Sequence, residues 1–161
     1  MKTYLFSLLL FCGILSCSKS SDVTPATGTS YISMKINGVE WKSSVGAGAI
    51  TSGSFSGTGA LEVTGGKDVI AMTLINSANV GTAYKFEETN DRLFQFTRQV
   101  AKVSYFIGKD QKGSSGIVTI TKTKLANTLT YANATFSGTA VGSDGSKIVI
   151  TEGKVVNAQV E

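Results

Sequence analysis

Short runs in which apolar and polar residues alternate make up most of the chain after its apolar N-terminus. Residues 31–41 show this most clearly, because two alternating runs flank an Asn-Gly dipeptide at 37–38. Both residues accept the positive φ angles of a type I′ turn, so the stretch predicts a β-hairpin. In a two-residue loop Lys35 faces Glu40 on a charged side. Trp41 falls on the apolar side, where we expect a core anchor; the alternative is an exposed residue that stacks on a ligand.

The remaining runs predict further short strands separated by Gly, Asn and Ser. Residues 69–75 are apolar on both faces, which is typical of a strand near the centre of a sheet. Residues 43–59 are rich in Gly, Ala and Ser and predict only a weak strand at 45–50 and a mobile loop through Phe55. Nine or ten such strands favour an all-β fold, an antiparallel β-sandwich of Greek-key or jelly-roll type. A small up-and-down β-barrel is the alternative.

The N-terminus has a different pattern, that of a secretory signal peptide. Lys2 precedes an apolar stretch at 4–14, which is too short to span a bilayer because about 20 residues are needed. The stretch ends in Ile-Leu-Ser-Cys at 14–17, which resembles the bacterial lipobox. This resemblance implies cleavage between Ser16 and Cys17 and a covalent lipid on the Cys17 thiol. The alternative is an ordinary signal peptide whose apolar region happens to end in cysteine.

Three segments follow from these patterns. Residues 1–16 form the lipoprotein signal peptide, residues 17–29 a lipidated cysteine and flexible polar tether, and residues 30–161 one all-β domain. Surface-exported lipoproteins of the Bacteroidota carry a lysine and two acidic residues soon after the cysteine. Here Lys19 matches, but serines occupy the acidic positions. We therefore expect a lipid-anchored protein of the outer membrane, facing either the periplasm or the cell surface.

Composition narrows the possible chemistry. The 161 residues include no histidine, which excludes His-dependent catalytic triads and the commonest transition-metal ligand. Both cysteines lie at or before Cys17, so we expect no disulfide in the mature domain. The formal charge of +4 comes from scattered lysines, a distribution that does not suit nucleic-acid binding. We predict no metal and no cofactor apart from the lipid on Cys17.

Carboxylates are the remaining candidates for acid/base or calcium chemistry. They cluster locally at Glu87, Glu88 and Asp91, beside Arg92, but without the spacing of a calcium loop. We interpret this cluster as a solvated turn, and Asp144 as part of another turn. A glycan hydrolase built on two carboxylates would have to draw its acids from a set without a pairing motif: Glu62, Glu87, Glu88, Asp91 and Glu152.

An Asn-Gly-x-x-Trp hairpin behind a lipoprotein tether resembles a family of small Bacteroidota outer-membrane lipoproteins of unknown function. Runs at 116–122, 134–139 and 148–153 are similar to the closing strands of that family. The resemblance implies an all-β domain and supplies no catalytic residues. We therefore favour a membrane-anchored, non-catalytic β-domain that binds an envelope protein or glycan or serves another envelope role. The alternatives are a small barrel that carries an apolar ligand and the carboxylate-dependent hydrolase; the oligomeric state is open.

Overall fold

The computed structural model describes residues 30–43, 45–51, 54–75, 79–126 and 129–159. These residues form eleven strands and a 3₁₀ turn at Phe86–Glu88. The strands are β1 (Tyr31–Ile36), β2 (Val39–Lys42), β3 (Val45–Thr51), β4 (Ser54–Val63), β5 (Gly66–Leu74), β6 (Ala83–Lys85), β7 (Arg92–Arg98), β8 (Val103–Ile107), β9 (Ser115–Ala126), β10 (Leu129–Gly142) and β11 (Lys147–Gln159).

The strands pair antiparallel in one sheet that is nearly closed and barrel-shaped. Its order is β2-β1-β11-β10-β8-β7-β5-β4-β3, so that most neighbours in the sheet are also neighbours along the chain. Strand β9 pairs with β10 beyond the end of β8, and β6 adds to the outer edge of β9. Strand β3, at one end of this order, approaches β10 and β11, so that the sheet curves round and nearly closes. The all-β, antiparallel prediction is confirmed, and the arrangement is the barrel-shaped alternative rather than two stacked sheets.

The β1–β2 hairpin has the predicted register and turn. Asn37 and Gly38 have φ angles of 50° and 83°, and Lys35 lies opposite Glu40. The Asn37 side chain also accepts a hydrogen bond of 2.8 Å from the Val149 N–H. Asparagine therefore suits position 37 for two reasons: it tolerates positive φ, and its side-chain amide joins the hairpin to β11.

Large apolar side chains fill the interior of the barrel. Phe55, Phe86, Phe94 and Phe96 are fully buried, and Trp41 is 5% exposed. The Trp41 ring meets Phe96 edge-on, with 5.6 Å between the ring centroids. Burying one such side chain contributes roughly 1.5–3 kcal/mol, which accounts for a domain that needs no disulfide. The prediction that Trp41 anchors the core is confirmed.

The predicted mobile loop through Phe55 is wrong. Phe55 lies in β4, opposite Leu74 of β5, and is fully buried. The glycines around it permit close packing: a Cβ on Gly59 would lie 3.0 Å from the Ser43 Cβ and 3.2 Å from the Ile70 Cγ2. Glycine in this stretch therefore reflects the approach of neighbouring chain segments, not the absence of a strand.

Candidate functional site

A groove of about 280 Å³ crosses the outer face of the sheet where β9, β10 and β11 lie side by side. We call it the outer-face groove. Hydroxyl, carboxylate, ammonium and apolar groups line it: Ile117, Thr119, Thr135, Phe136, Ser137, Glu152, Gly153 and Lys154. This mixture can form hydrogen bonds, ion pairs and apolar contacts with one ligand. The volume suits a short ligand segment, since pockets for drug-sized molecules begin near 300 Å³.

A β-bulge in β11 shapes one wall of the outer-face groove. The pairing of β11 with β10 shifts register between Phe136 and Gly138, and its pairing with β1 shifts register between Ser33 and Lys35. The inserted residue is Glu152, whose φ of 52° lies in the left-handed region. That conformation is uncommon for glutamate and costs energy, and such strain concentrates at functional positions. The bulge turns the Glu152 side chain toward the outer surface.

The ion pair at the bulge differs from the one that the hairpin pattern suggests. Lys35 donates a hydrogen bond of 2.7 Å to Glu152 Oε1, although Glu40 lies opposite it in β2. This bond and the charge of Glu152 raise the pKa of Lys35. Within the described residues Lys154 makes no ion pair. The outer-face groove therefore offers an uncompensated ammonium group beside a carboxylate that is already neutralised.

Gly153 lets β10 and β11 approach each other at the bulge. A Cβ at this position would lie 2.4 Å from the carbonyl oxygen of Phe136 and 2.6 Å from its ring. Any residue with a side chain would force the strands apart. The floor of the outer-face groove thus depends on a glycine that the sequence pattern alone does not single out.

The acidic cluster at 87–91 does not converge on a common point. Glu88 accepts a hydrogen bond of 2.7 Å from Arg92, with which it forms an ion pair. Glu87 instead turns to β9 and accepts a hydrogen bond of 3.0 Å from the Gly116 N–H. Asp91 is exposed in the turn that precedes β7. Glu87 and Glu88 therefore have different hydrogen-bond partners, one on β9 and the other at Arg92.

The other carboxylates from the sequence analysis also lie apart. Glu62 forms an exposed ion pair of 2.8 Å with Lys67 across β4 and β5. Asp144 accepts bonds from the Ser146 hydroxyl and N–H, and these bonds lower the pKa of Asp144. In the parts of the chain that the structure describes, acidic side chains do not gather into a group of three that could hold a metal ion.

Asp68 is a buried carboxylate that the sequence analysis missed. It is 7% exposed, and its Oδ2 lies 3.8 Å from Arg98 Nε. Burial raises the pKa of Asp68, against the opposing effects of Arg98 and the Trp41 indole. The buried indole N–H of Trp41 lies near this carboxylate but makes no hydrogen bond within the part of the chain that the structure describes. Asp68 lies two residues before the buried Ile70, on the same face of β5. This alternation is the sequence signal that could have indicated the burial of Asp68.

Ser16 and Cys17, the predicted cleavage and lipidation residues, lie outside the described residues. None of the helical segments in the described ranges has the length and apolar character required to span a bilayer.

Comparisons of the chain with family models, with curated proteins and with solved structures found no match.

Proposed function

We propose that the chain is an outer-membrane lipoprotein, anchored by a lipid on Cys17, whose β-domain binds an envelope protein or glycan at the outer-face groove. The Ile-Leu-Ser-Cys sequence at 14–17 supports the anchor. Several acyl chains, at about 0.8 kcal/mol per buried CH₂, would make attachment effectively permanent. The β-domain is then held at the envelope, where an exposed binding surface meets its partner at high local concentration.

The outer-face groove carries the binding part of the proposal. It combines Lys154, which has no ion-pair partner among the described residues, with the Thr135 and Ser137 side chains, and the strained Glu152 also lines it. Backbone strain that the surrounding structure maintains clusters at active sites and ligand-binding positions. Polar groups on an open surface of this size suit a segment of a larger partner, such as one stretch of a protein or a sugar unit of a glycan.

Two alternatives have less support. A carrier of an apolar ligand needs interior space, whereas Phe94, Phe96 and neighbouring residues occupy the barrel interior. A carboxylate-dependent hydrolase needs two acids facing one cleft, whereas Glu87 and Glu88 turn to different partners. The arrangement of these side chains therefore supports a domain that binds a partner and does not catalyse a reaction.

The anchor is tested by palmitate labelling of the full-length chain and of Cys17→Ser in a bacterial host. We expect label and membrane fractionation for the wild type, and loss of both for Cys17→Ser. Labelling that persists in the variant would refute the anchor.

The groove is tested by site-specific photo-crosslinking in intact cells. A photoreactive residue replaces Thr135, and the matched control replaces Ser56, which is also exposed on an outer strand face but lies in β4. We expect an adduct at Thr135 that is absent at Ser56. A protein adduct identifies a protein partner, and a polysaccharide adduct identifies a glycan. Equal crosslinking at both positions would refute the outer-face groove as the binding site.

A further inference from the structure

Strand β2 ends the sheet on one side, and the backbone groups on its outer side lack partners in the described part of the chain. Among the described strands only β1 pairs with β2. The Ser43 N–H, one residue past β2, donates to the Ile32 carbonyl of β1 at 2.8 Å. Residues of an antiparallel strand bond alternately to its two sides, so every second residue counted back from Ser43 bonds to β1. The N–H and C=O groups of Glu40 and Lys42 therefore point away from β1, along what we call the open edge.

The open edge carries two opposite charges. The side chains of Glu40 and Lys42 are exposed on the outer face of the strand, because the buried Trp41 between them points inward. Glu40 lies opposite Lys35, but Lys35 bonds to the bulge of β11 instead. The Lys42 ammonium group lies over the Tyr31 ring, 4.2 Å from its centroid, and keeps N–H donors for a carboxylate. Within the described residues neither Glu40 nor Lys42 forms an ion pair.

This order of charges makes the open edge complementary to a second copy of itself. Two copies of β2 that pair antiparallel are related by a two-fold axis, and their outward-pointing residues must lie opposite one another. The axis can then lie at Glu40, Trp41 or Lys42. An axis at Glu40 or at Lys42 sets two like charges face to face, which is unfavourable. An axis at Trp41 sets Glu40 of each copy opposite Lys42 of the other.

We propose that two copies of this chain associate by antiparallel pairing of β2 about an axis at Trp41. Each pair of Glu40 with Lys42 then exchanges both N–H···O bonds and forms an ion pair on the outer face. Charged side chains commonly protect an edge strand from pairing, but here their order favours one partner in one register. The interface is short, so the association is reversible. It depends neither on the lipid anchor nor on the outer-face groove, and its failure would leave the proposed function intact.

Two cysteine variants test the register. One full-length copy carries Glu40→Cys, a differently tagged copy carries Lys42→Cys, and the two are co-expressed in a bacterial host and mildly oxidised. In the proposed register the introduced thiols lie on opposite residues with about 5.5 Å between Cα atoms, which a disulfide spans. The unchanged Lys42 and Glu40 keep one ion pair in this mixed dimer. Two copies of one variant place their thiols on a diagonal, about 7–8 Å apart, which is too far.

We expect the disulfide-linked mixed dimer to exceed either single-variant dimer about fivefold or more. Mass spectrometry of the linked peptides identifies the bond as one between positions 40 and 42. A mixture that crosslinks no more than the single variants would overturn the proposed register.

Charge reversal tests the ion pairs without a new thiol. Glu40→Lys alone, or Lys42→Glu alone, sets like charges opposite each other in every pair, whereas a mixture of the two variants restores opposite charges. We expect each single variant to weaken association about tenfold or more in sedimentation equilibrium of the full-length protein in detergent, and the mixture to recover it.

Lys109→Glu is the matched control, because this lysine is exposed in the turn between β8 and β9 and its reversal changes the net charge equally. It should associate as the wild type does, and circular dichroism verifies that each variant is folded. Unchanged association of the single variants, no recovery in the mixture, or an equal loss in Lys109→Glu would overturn the proposal.

Discussion

Replacing Gly153 by alanine should disrupt the close approach of β10 and β11 beneath the outer-face groove. An alanine Cβ would lie 2.4 Å from the Phe136 carbonyl oxygen and 2.6 Å from two atoms of its ring. Real Cβ atoms essentially never come closer than 3.0 Å to such neighbours. The nearest atom belongs to the backbone of a paired strand, so a side-chain rotation cannot relieve the overlap.

The cost of this overlap follows from packing. Overpacking a well-packed site costs about 1–3 kcal/mol, and a backbone clash on a central strand favours the upper half of that range. For a domain of this size such a loss lowers Tm by roughly 5–15 °C. We expect the urea midpoint of Gly153→Ala to fall accordingly, with an unchanged dependence of stability on urea if the unfolded state is the same. Trp41, the sole tryptophan of the chain, reports unfolding by its fluorescence.

Gly57→Ala is the matched control. Its nearest neighbour would be a ring atom of Phe55 at 3.4 Å, which is ordinary van der Waals contact. The same substitution should therefore be neutral there or stabilise by about 0.4–1 kcal/mol, because alanine restricts the unfolded chain. The reasoning is refuted if Gly153→Ala unfolds within about 0.5 kcal/mol of the wild type, or if the two variants lose equal stability.

Three further predictions test other parts of the structure. Asp68→Asn should be more stable than the wild type at neutral pH. Burial raises the pKa of Asp68 in the folded state, so its contribution to stability is present at low pH and lost as the pH rises through that pKa. Urea midpoints of the two proteins should therefore converge on acidification, and a constant difference between them would contradict this. Glu152→Gly should leave the free energy of unfolding unchanged or raise it by up to about 1 kcal/mol, because glycine accepts the φ of 52° and the lost ion pair is exposed. A clear loss of stability in a thermal melt would contradict this, because it would mean that the ion pair contributes more than the backbone strain costs. Phe94→Ala should cost about 3–5 kcal/mol in urea unfolding because Phe94 is fully buried, and a loss below about 2 kcal/mol would indicate that the core can collapse around the cavity.

The local parts of the fold could be predicted from the sequence. Asn37 and Gly38 adopt the positive φ angles that their type implies, and the two-residue loop sets the register of β1 against β2. The apolar run at 69–75 predicted a strand near the centre of a sheet; residues 69–74 lie in β5, between β4 and β7, but only alternate residues of this strand are buried. These features depend on residues close together in the chain, where backbone sterics and side-chain alternation act directly.

The candidate site could be predicted only in part. Glu152 stood among the candidate acids, yet its role at a bulge depends on the registers of β11 with both β1 and β10. Its partner Lys35 lies 117 positions away, so no spacing rule connects them. The burial of Asp68 could not be predicted, because alternation shows only which face of the strand a residue occupies. The closed sheet is what makes that face the interior of the barrel.

By itself the sequence determined the strand-rich composition, the β1–β2 hairpin, the turn chemistry and the exclusion of histidine-based sites, together with the prediction of a lipid anchor at Cys17. Tertiary structure alone decided that the strands form one nearly closed barrel, that Phe55 is buried, and that the groove lies on β9, β10 and β11. The physical reason is the range of the interactions. Hairpins form between residues a few positions apart, whereas closure depends on pairings such as β1 with β11, which join opposite ends of the chain and are selected by the packing of the whole core.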